Sequence, residues 1–325
     1  MKGTVKWVRD ALAATSLVDH LAHYLIRDNM IHASDGRMVV AHPFEYDGEV
    51  LVNGEGFEKL LARMPVDAPI LGQTETHLVM RHGKFKGSVK TLPPEQWVYP
   101  PPDEGAWHPL PEGLLAAMRR LRPFLSANAT QPWATCLAYL GGHLYATNNI
   151  TLARTPLRGR VVEGTMFPVW AVDFVLARDE GLVEWMCSPQ ALAFSWDTGA
   201  WMRTPTIVTP FPGNCPGMID AGKGARRKPH TLTPEWRAAL ERVSGFAEAE
   251  VQLGSTMMRS AGEAVIVEDE VGTPCPPDVE FTCWDHRYLE PVVTAATHWD
   301  PTTWPSPAYF KGKALEGIIL GRRAS

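Results

Sequence analysis

Few residue patterns in this 325-residue chain could do chemistry. One near-match to the phosphate-binding loop of nucleotide hydrolases is Gly217–Gly224, which reads GMIDAGKG. Gly224 stands where a serine or threonine hydroxyl would ligate magnesium, and Pro229 argues against the helix that should follow such a loop. We therefore predict a proline-bounded linker here rather than a phosphate site.

Metal-binding and nucleophilic patterns are equally weak. His20 and His23 are three residues apart without an evident third ligand, and Asp35 lies in a predicted hairpin turn, where its side chain can mimic the backbone. The cysteines form no CxxC pair, so they favour reduced thiols over a zinc site or a disulfide framework; they are Cys136, Cys187, Cys215, Cys275 and Cys283.

Neither of the common hydrolase signatures, HExxH and GxSxG, occurs in the sequence. The chain therefore favours a protein without intrinsic catalysis and without a cofactor. An enzyme of another class, with catalytic residues scattered along the sequence, stays an alternative to a protein without catalysis.

The composition is that of an ordinary globular protein, with 45% hydrophobic and 21% charged residues. The 31 Lys and Arg against 36 Asp and Glu give a net charge of −5. This balance excludes a nucleic-acid binder that works by overall charge, so any contact with nucleic acid must come from locally placed cations. No stretch approaches the roughly 20 apolar residues that span a bilayer, and charges interrupt the N-terminal segment. We therefore expect a cytoplasmic protein that does not bind membranes.

Three similar segments recur along the chain, and each is predicted to form a strand, a tight turn and a second strand. They lie at residues 33–41, 146–153 and 260–265. Ser34, Thr147 and Ser260 occupy equivalent positions and are 113 residues apart. This regular spacing predicts an internal repeat.

Amphipathic helices follow the same plan. Helices are predicted near Gly54, Trp170 and His286, which are 116 residues apart, and each repeat opens with a further helix. The opening helices cover residues 5–14, 111–125 and 234–247, and Thr233 is placed to cap the third. Segments rich in proline and glycine, at 93–105 and 222–229, mark linkers. The sequence therefore predicts an α+β protein of three repeated domains, 1–107, 108–228 and 229–325, each with two helices packed on antiparallel sheets.

The repeated unit resembles that of the DNA polymerase III beta sliding clamp family, in a diverged form such as a phage encodes. Ala146–Ala153 reads ATNNITLA and resembles the family's ATDGHRLA turn, with Asn149 in place of a glycine. Asn can replace glycine there because it also adopts the left-handed backbone conformation. Thr204–Gly213 resembles the family's segment ending in FPD, with Gly213 in place of the Asp. Glu316–Arg322 resembles the apolar C-terminal strand, with Gly321 where the family usually has proline.

The resemblance implies a homodimer whose clamp domains close into a ring around duplex DNA. Such a ring tethers a replicative DNA polymerase and engages a clamp loader through a short peptide motif. The cations off the apolar stripes of the opening helices would then face the DNA, and a solvated charged face is the alternative. They are Lys2, Lys6, Arg9, Arg119, Arg120, Arg122 and Arg237.

The resemblance also implies a partner-peptide groove between the middle and last domains. Carried over by position, its walls are Thr147, Ile150, Thr151, Leu152, Pro212, Ile318, Ile319 and Leu320. Leu152 and Ile319 could instead be plain core residues, and side-chain alternation in a strand prevents Ile318 and Ile319 from lining the groove equally. The alternative function is a clamp-like docking adaptor that does not encircle DNA.

Overall fold

The computed structural model describes residues 1–13, 18–64, 69–98, 105–225, 229–261 and 265–322. They form two compact units, one of Met1–Leu110 with Asp173–Thr206 and one of Pro111–Val172 with Ile207–Ser325. The fold is α+β, and strand pairing is antiparallel throughout the described sheets, which confirms the predicted fold class. The domain boundaries at 107 and 228 stay predictions.

Helices form where the apolar spacing predicts them, with one addition. In the described residues they are α1 (Lys2–Val8), α2 (Gly54–Arg63), α3 (Leu114–Leu121), α4 (Val169–Leu176), α5 (Cys215–Ala225), α6 (Pro234–Ser244) and α7 (His286–Ala295). The Thr233 side chain accepts a hydrogen bond from Trp236 N at 3.2 Å, which confirms the predicted cap of α6.

The strands are short, as expected for hairpin-connected sheets. The first twelve are β1 (His23–Arg27), β2 (Met30–Ser34), β3 (Val39–Pro43), β4 (Val50–Asn53), β5 (Ile70–Gln73), β6 (His77–His82), β7 (Phe85–Leu92), β8 (His108–Pro109), β9 (Cys136–Leu140), β10 (His143–Thr147), β11 (Thr151–Pro156) and β12 (Met166–Pro168). The others are β13 (Leu182–Cys187), β14 (Ala191–Trp196), β15 (Trp201–Pro205), β16 (His230–Thr231), β17 (Glu250–Gly254), β18 (Met258–Ala261), β19 (Glu268–Asp269), β20 (Phe281–Asp285), β21 (His298–Trp299), β22 (Ala308–Lys311) and β23 (Glu316–Ile319).

Each unit is built on its own sheets. The first unit holds an 11-stranded sheet of order β5-β6-β7-β4-β1-β2-β3-β15-β14-β13-β8. The second unit holds an eight-stranded sheet of order β12-β9-β10-β11-β23-β22-β21-β16 and a four-stranded sheet of order β19-β18-β17-β20. Strand β11 pairs with both β10 and β23, so it lies between β10 and the C-terminal strand.

At each of the three repeat positions a side-chain hydroxyl bonds to the backbone across the turn, over a longer span at Ser260 than at Ser34 and Thr147. The hydroxyl of Ser34 donates to Met38 O at 2.9 Å, and that of Thr147 donates to Thr151 O at 2.7 Å. The hydroxyl of Ser260 reaches Val265 O at 3.5 Å and accepts from a backbone N–H, as the other two hydroxyls do. This shared local geometry supports the internal repeat.

The turns beside Ser34 and Thr147 also match. Asp35 Oδ1 accepts from two backbone N–H groups across its turn, and Asn148 Oδ1 does the same. These hydrogen bonds give Asp35 a structural role in the turn, so its presence there does not require a catalytic role. Asn149 has φ +73°, which confirms the expected left-handed conformation at the position of the family's glycine. Residues 262–264 of the third turn lie outside the described residues.

The predicted linker at 222–229 is wrong in its first half. Residues up to Ala225 form the end of α5, so the near-match to a phosphate-binding loop lies on a helix. This helix escaped prediction because its sequence, CPGMIDAGKGA, is rich in residues that favour turns. The segment Gly224–Pro229 contains a basic run that could contact phosphates or be a solvated linker, and its three basic residues, Arg226, Arg227 and Lys228, lie outside the described residues.

Large aromatic side chains fill the cores. Trp236, Trp284 and Trp299 are fully buried in the second unit, with ring centroids of neighbouring pairs 4.9–5.9 Å apart. In the first unit the guanidinium of Arg178 lies 4.0 Å from the Phe174 ring centroid and donates to Trp7 O at 3.0 Å. The described helices include none that is both long and apolar enough to cross a bilayer.

Candidate functional site

A cavity of about 260 Å³ opens in the second unit where β11, the chain after β23 and α5 meet. We call it the groove. Its walls are Trp133, Thr147, Asn149, Ile150, Thr151, Leu152, Pro212, Asn214, Cys215, Met218, Ile318 and Leu320. Strand pairing positions two walls, because Leu152 and Ile318 are register partners on β11 and β23.

The structure brings together all but one of the residues predicted for the groove. Ile319 is the exception: it is buried, at 1% exposure, and does not line the cavity. Its strand neighbour Ile318 does line the cavity, as side-chain alternation requires. The positions of these residues do not show what the groove binds. Binding of a partner peptide therefore stays a prediction.

Sequence reasoning missed several wall residues. Cys215 and Met218 lie on α5, whose sequence favours turns and does not predict a helix. Met218 is 41% exposed and lines the cavity. A signal was present, because the buried residues Cys215, Ile219 and Gly222 have helical spacing. Trp133 precedes β9, in a different part of the sequence, and no local pattern links it to the groove.

The groove is chemically neutral. Among the described residues, its walls carry no charged side chain, and their polar groups are amides, hydroxyls, one indole and one thiol. Burial raises the pKa of the Cys215 thiol to about 11, so this sulfur is a poor nucleophile at neutral pH. The arrangement suits apolar side chains of a ligand, with the Asn149 and Asn214 amides available for neutral hydrogen bonds.

Next to the groove lies a network of charged side chains centred on Arg154. Its Nη2 donates to Asp220 Oδ1 and to Glu316 Oε1, at 2.7 Å each. Glu316 Oε2 accepts from the Tyr309 hydroxyl at 2.6 Å and from Lys223 Nζ at 3.3 Å. We call these five residues the Arg154 network; it joins β11, β22 and β23 to α5.

Electrostatics favour the charged forms in this network. Burial raises the pKa of Glu316, but hydrogen bonds from Tyr309, Arg154 and Lys223 outweigh it and lower the pKa to about 2. Burial likewise lowers the pKa of Arg154, and its hydrogen bonds to Tyr145, Glu316 and Asp220 more than reverse this. Both groups are therefore ionised at neutral pH.

The predicted DNA-facing cations differ in their surroundings. Lys6, Arg9 and Arg119 are exposed, and Lys2 Nζ donates to Met64 O at 3.0 Å. Arg120 is half-buried and donates to Thr155 Oγ1 at 3.0 Å. A role of these residues at DNA stays a prediction.

Two further cations of this set are half-buried. Arg122 lies in a short 3-10 helix, Arg122–Phe124, which directly follows α3. Arg237 donates to the carbonyl oxygens of Leu232, Val293 and Ala296, so its guanidinium also binds the C-terminal end of α7. A DNA-facing role stays a prediction for both.

A basic hairpin and an acidic segment lie in different units of the chain. Residues 77–92, which form β6 and β7, carry four Lys and Arg and no Asp or Glu. Arg81 and Lys86 are register partners there, so their side chains share a face. Residues 246–285 carry nine Asp and Glu and only one basic residue, Arg259. The described residues include no cluster of His, Cys, Asp and Glu that could hold a metal ion.

The fold of this chain is similar to that of the sliding clamps. The crystal structure of the beta sliding clamp of Caulobacter crescentus superposes with a TM-score of 0.79 at 15% identity, covering 99% of this chain and 97% of that one. The DNA polymerase III beta subunit of Thermotoga maritima gives 0.77 at 17% identity, covering 100% and 97%. The Pseudomonas aeruginosa sliding clamp, solved bound to griselimycin, gives 0.77 at 14% identity, with the same coverage.

The sequence itself matches no protein-family model and no curated protein. The resemblance inferred from the sequence is thus confirmed at the level of the fold, over nearly the whole chain. At these identities the similarity defines the fold, and function has to be argued from the chain's own residues.

Proposed function

We propose that the chain is a DNA sliding clamp: a homodimeric ring, without catalysis of its own, that encircles duplex DNA and tethers a DNA polymerase through the groove. The observation that carries this proposal is the coincidence of the clamp fold with a neutral, apolar groove at the positions predicted from the sequence. A processivity factor needs no reactive group, and the thiol among the described groove walls, that of Cys215, is a poor nucleophile because burial raises its pKa.

The physical logic is topological. A closed ring cannot leave DNA sideways, so it needs only weak contacts to phosphate, since each neutralised phosphate adds affinity that hinders sliding. A net charge of −5 with exposed cations on α1 and α3 fits this requirement. The exposed cations Lys6, Arg9 and Arg119 are the ones that we assign to the DNA.

Charge complementarity supports head-to-tail dimerisation. The basic hairpin β6–β7 belongs to the first unit and the acidic segment 246–285 to the second. In a twofold dimer each copy contributes one of each, so the basic hairpin of one copy can meet the acidic segment of its partner twice. We assign the two dimer contacts to these surfaces.

The proposed peptide-binding role of the groove is tested by truncating a wall residue that is not part of the core. Met218→Ala is expected to weaken binding of a fluorescein-labelled peptide with adjacent leucine and phenylalanine side chains about tenfold, because apolar anchors carry most of such affinity. Fluorescence polarisation gives the Kd, and urea unfolding is expected to show nearly unchanged stability, since Met218 is 41% exposed.

Val208→Ala is the matched control, because Val208 is 91% exposed in the same unit and does not line the groove. Equal peptide affinity of the Met218 variant, the control and the unsubstituted chain would place the binding site elsewhere. Peptide binding by a chain that never stays on circular DNA would favour the docking adaptor instead.

A further inference from the structure

Helix α5 is a groove wall with little intrinsic helical stability. Three of its eleven residues are glycines, at 217, 222 and 224, and glycine is the poorest helix former after proline. Its N-terminal half supplies Cys215 and Met218 to the groove. The position of this wall must therefore be fixed by contacts that α5 makes with the rest of the unit.

Two kinds of contact hold α5 on the sheet. The first is apolar: Ile219 is fully buried, and Gly222 packs so closely that an added Cβ would lie 2.6 Å from Ile318 Cγ2. The second is the Arg154 network, in which Asp220 and Lys223 are the two members on α5. These two residues follow the groove-lining turn of the helix directly.

Arg154 is well placed to anchor α5 to the sheet. Its side chain is 10% exposed, it lies on β11 between two paired strands, and its guanidinium binds both Glu316 and Asp220. Hydrogen bonds between ionised groups are the strong ones, and their geometry is directional. None of the five network residues lines the groove, so an effect on a bound peptide must pass through α5 or through the strands β11 and β23 that carry other walls. Amide exchange measured separately in α5 and in β11 distinguishes these routes.

We propose that Arg154 and Glu316 are positioning residues that hold α5 as a wall of the groove and thereby set the affinity for the partner peptide. The inference rests on the proposed function for the identity of the ligand. The fixing of α5 by the network is independent of what the groove binds. Loss of either link from α5 to the network frees a helix that its own sequence does not stabilise.

Hydrogen exchange followed by mass spectrometry tests the proposal without a ligand. In Asp220→Asn and Glu316→Gln the amides of residues 215–225 are expected to exchange about tenfold faster, whereas those of β10 and β11 keep their protection. Asp10→Asn is the matched control, since it breaks an ion pair whose carboxylate is similarly exposed, that with Arg178 at 2.6 Å, in the first unit and away from α5. The labelled leucine–phenylalanine peptide is expected to bind both network variants, but not the control, about tenfold more weakly.

A rescue distinguishes positioning from general destabilisation. A Cβ added at Gly217 or Gly224 meets no atom of the described residues within 4 Å, so alanine at both sites is expected to strengthen α5 without a clash. Adding Gly217→Ala and Gly224→Ala to Asp220→Asn is expected to restore both slow exchange and peptide affinity.

The possible results separate the two proposals. Unchanged exchange of residues 215–225 in both network variants would overturn the positioning role, and so would weaker binding that the alanines fail to rescue. Faster exchange of α5 in a protein whose unsubstituted form does not bind the peptide would leave the positioning role standing and overturn the proposed function.

Discussion

Asn149 shows how far single residues can be interpreted from sequence. Its place in a glycine position predicts left-handed backbone, and its φ is +73°. Ile319 shows where the same reasoning stops, because only the pairing of β11 with β23 decides which of two adjacent isoleucines faces the groove. The residue type indicates the local backbone conformation, whereas the side of the sheet that a side chain faces depends on strand register.

The Arg154 network was invisible in the sequence for a related reason. Its members Arg154, Asp220 and Glu316 are far apart along the chain and belong to no motif. Only the adjacency of β11, β23 and α5 brings them within hydrogen-bond distance.

The depressed pKa of Glu316 predicts a specific acid sensitivity. Its folded-state pKa of about 2 lies below the ordinary value of 4.5, so ionised Glu316 stabilises the fold fully above pH 4.5. This contribution is lost as the pH falls from 4.5 toward 2. Urea unfolding at pH 3–6 is expected to show a steeper loss of stability for the unsubstituted chain than for Glu316→Gln. Parallel pH profiles of the two proteins would contradict the assignment.

At the scale of elements, the sequence predicted six helices and missed α5. Helices such as α2 are found because apolar residues recur at helical spacing, with Phe57 and Leu61 buried as expected. In α5 the glycines cost about 1 kcal/mol each relative to alanine, so local preference opposes the helix and tertiary contacts decide. The spacing of Trp170, Phe174 and Ala177 predicts one apolar face for α4, but Ala177 follows the end of the helix and is exposed. Val172 and Val175 are buried instead.

The glycines of α5 are predicted to respond in opposite ways. Gly222→Ala is expected to destabilise the chain by about 1–3 kcal/mol, because the new Cβ meets Ile318. Gly224→Ala, on the same helix and with open space around it, is expected to stabilise by roughly 0.5–1 kcal/mol. Urea unfolding of the two variants checks this difference. A destabilising effect of equal size at both positions would argue that α5 is not helical there.

At the scale of the whole molecule, the assignment of the dimer contacts predicts a charge-swap rescue. Lys86→Glu with Lys90→Glu is expected to dissociate the dimer by placing like charges opposite the acidic segment. Glu268→Lys with Glu270→Lys is expected to do the same from the other side. Because the contact joins two copies, the chain carrying all four substitutions is expected to dimerise again.

Light scattering measures the outcome as a mass of one or two times 35.9 kDa. Lys311→Glu with Lys313→Glu is the matched control, since it makes the same charge change at exposed lysines outside both surfaces. A chain with all four substitutions that stays monomeric, or a control that dissociates equally, would move the dimer contact to other surfaces.

Encirclement of DNA is tested most directly by changing only the topology of the DNA. Purified protein is incubated with nicked circular plasmid for long enough to let the dimer open and reclose. Free protein is removed by gel filtration at physiological ionic strength, so that the charged dimer contacts are not screened away. Half of the sample is then linearised at a single restriction site. We predict that protein stays on the circles and slides off the linear molecules; equal retention on both, or retention on neither, would contradict the account.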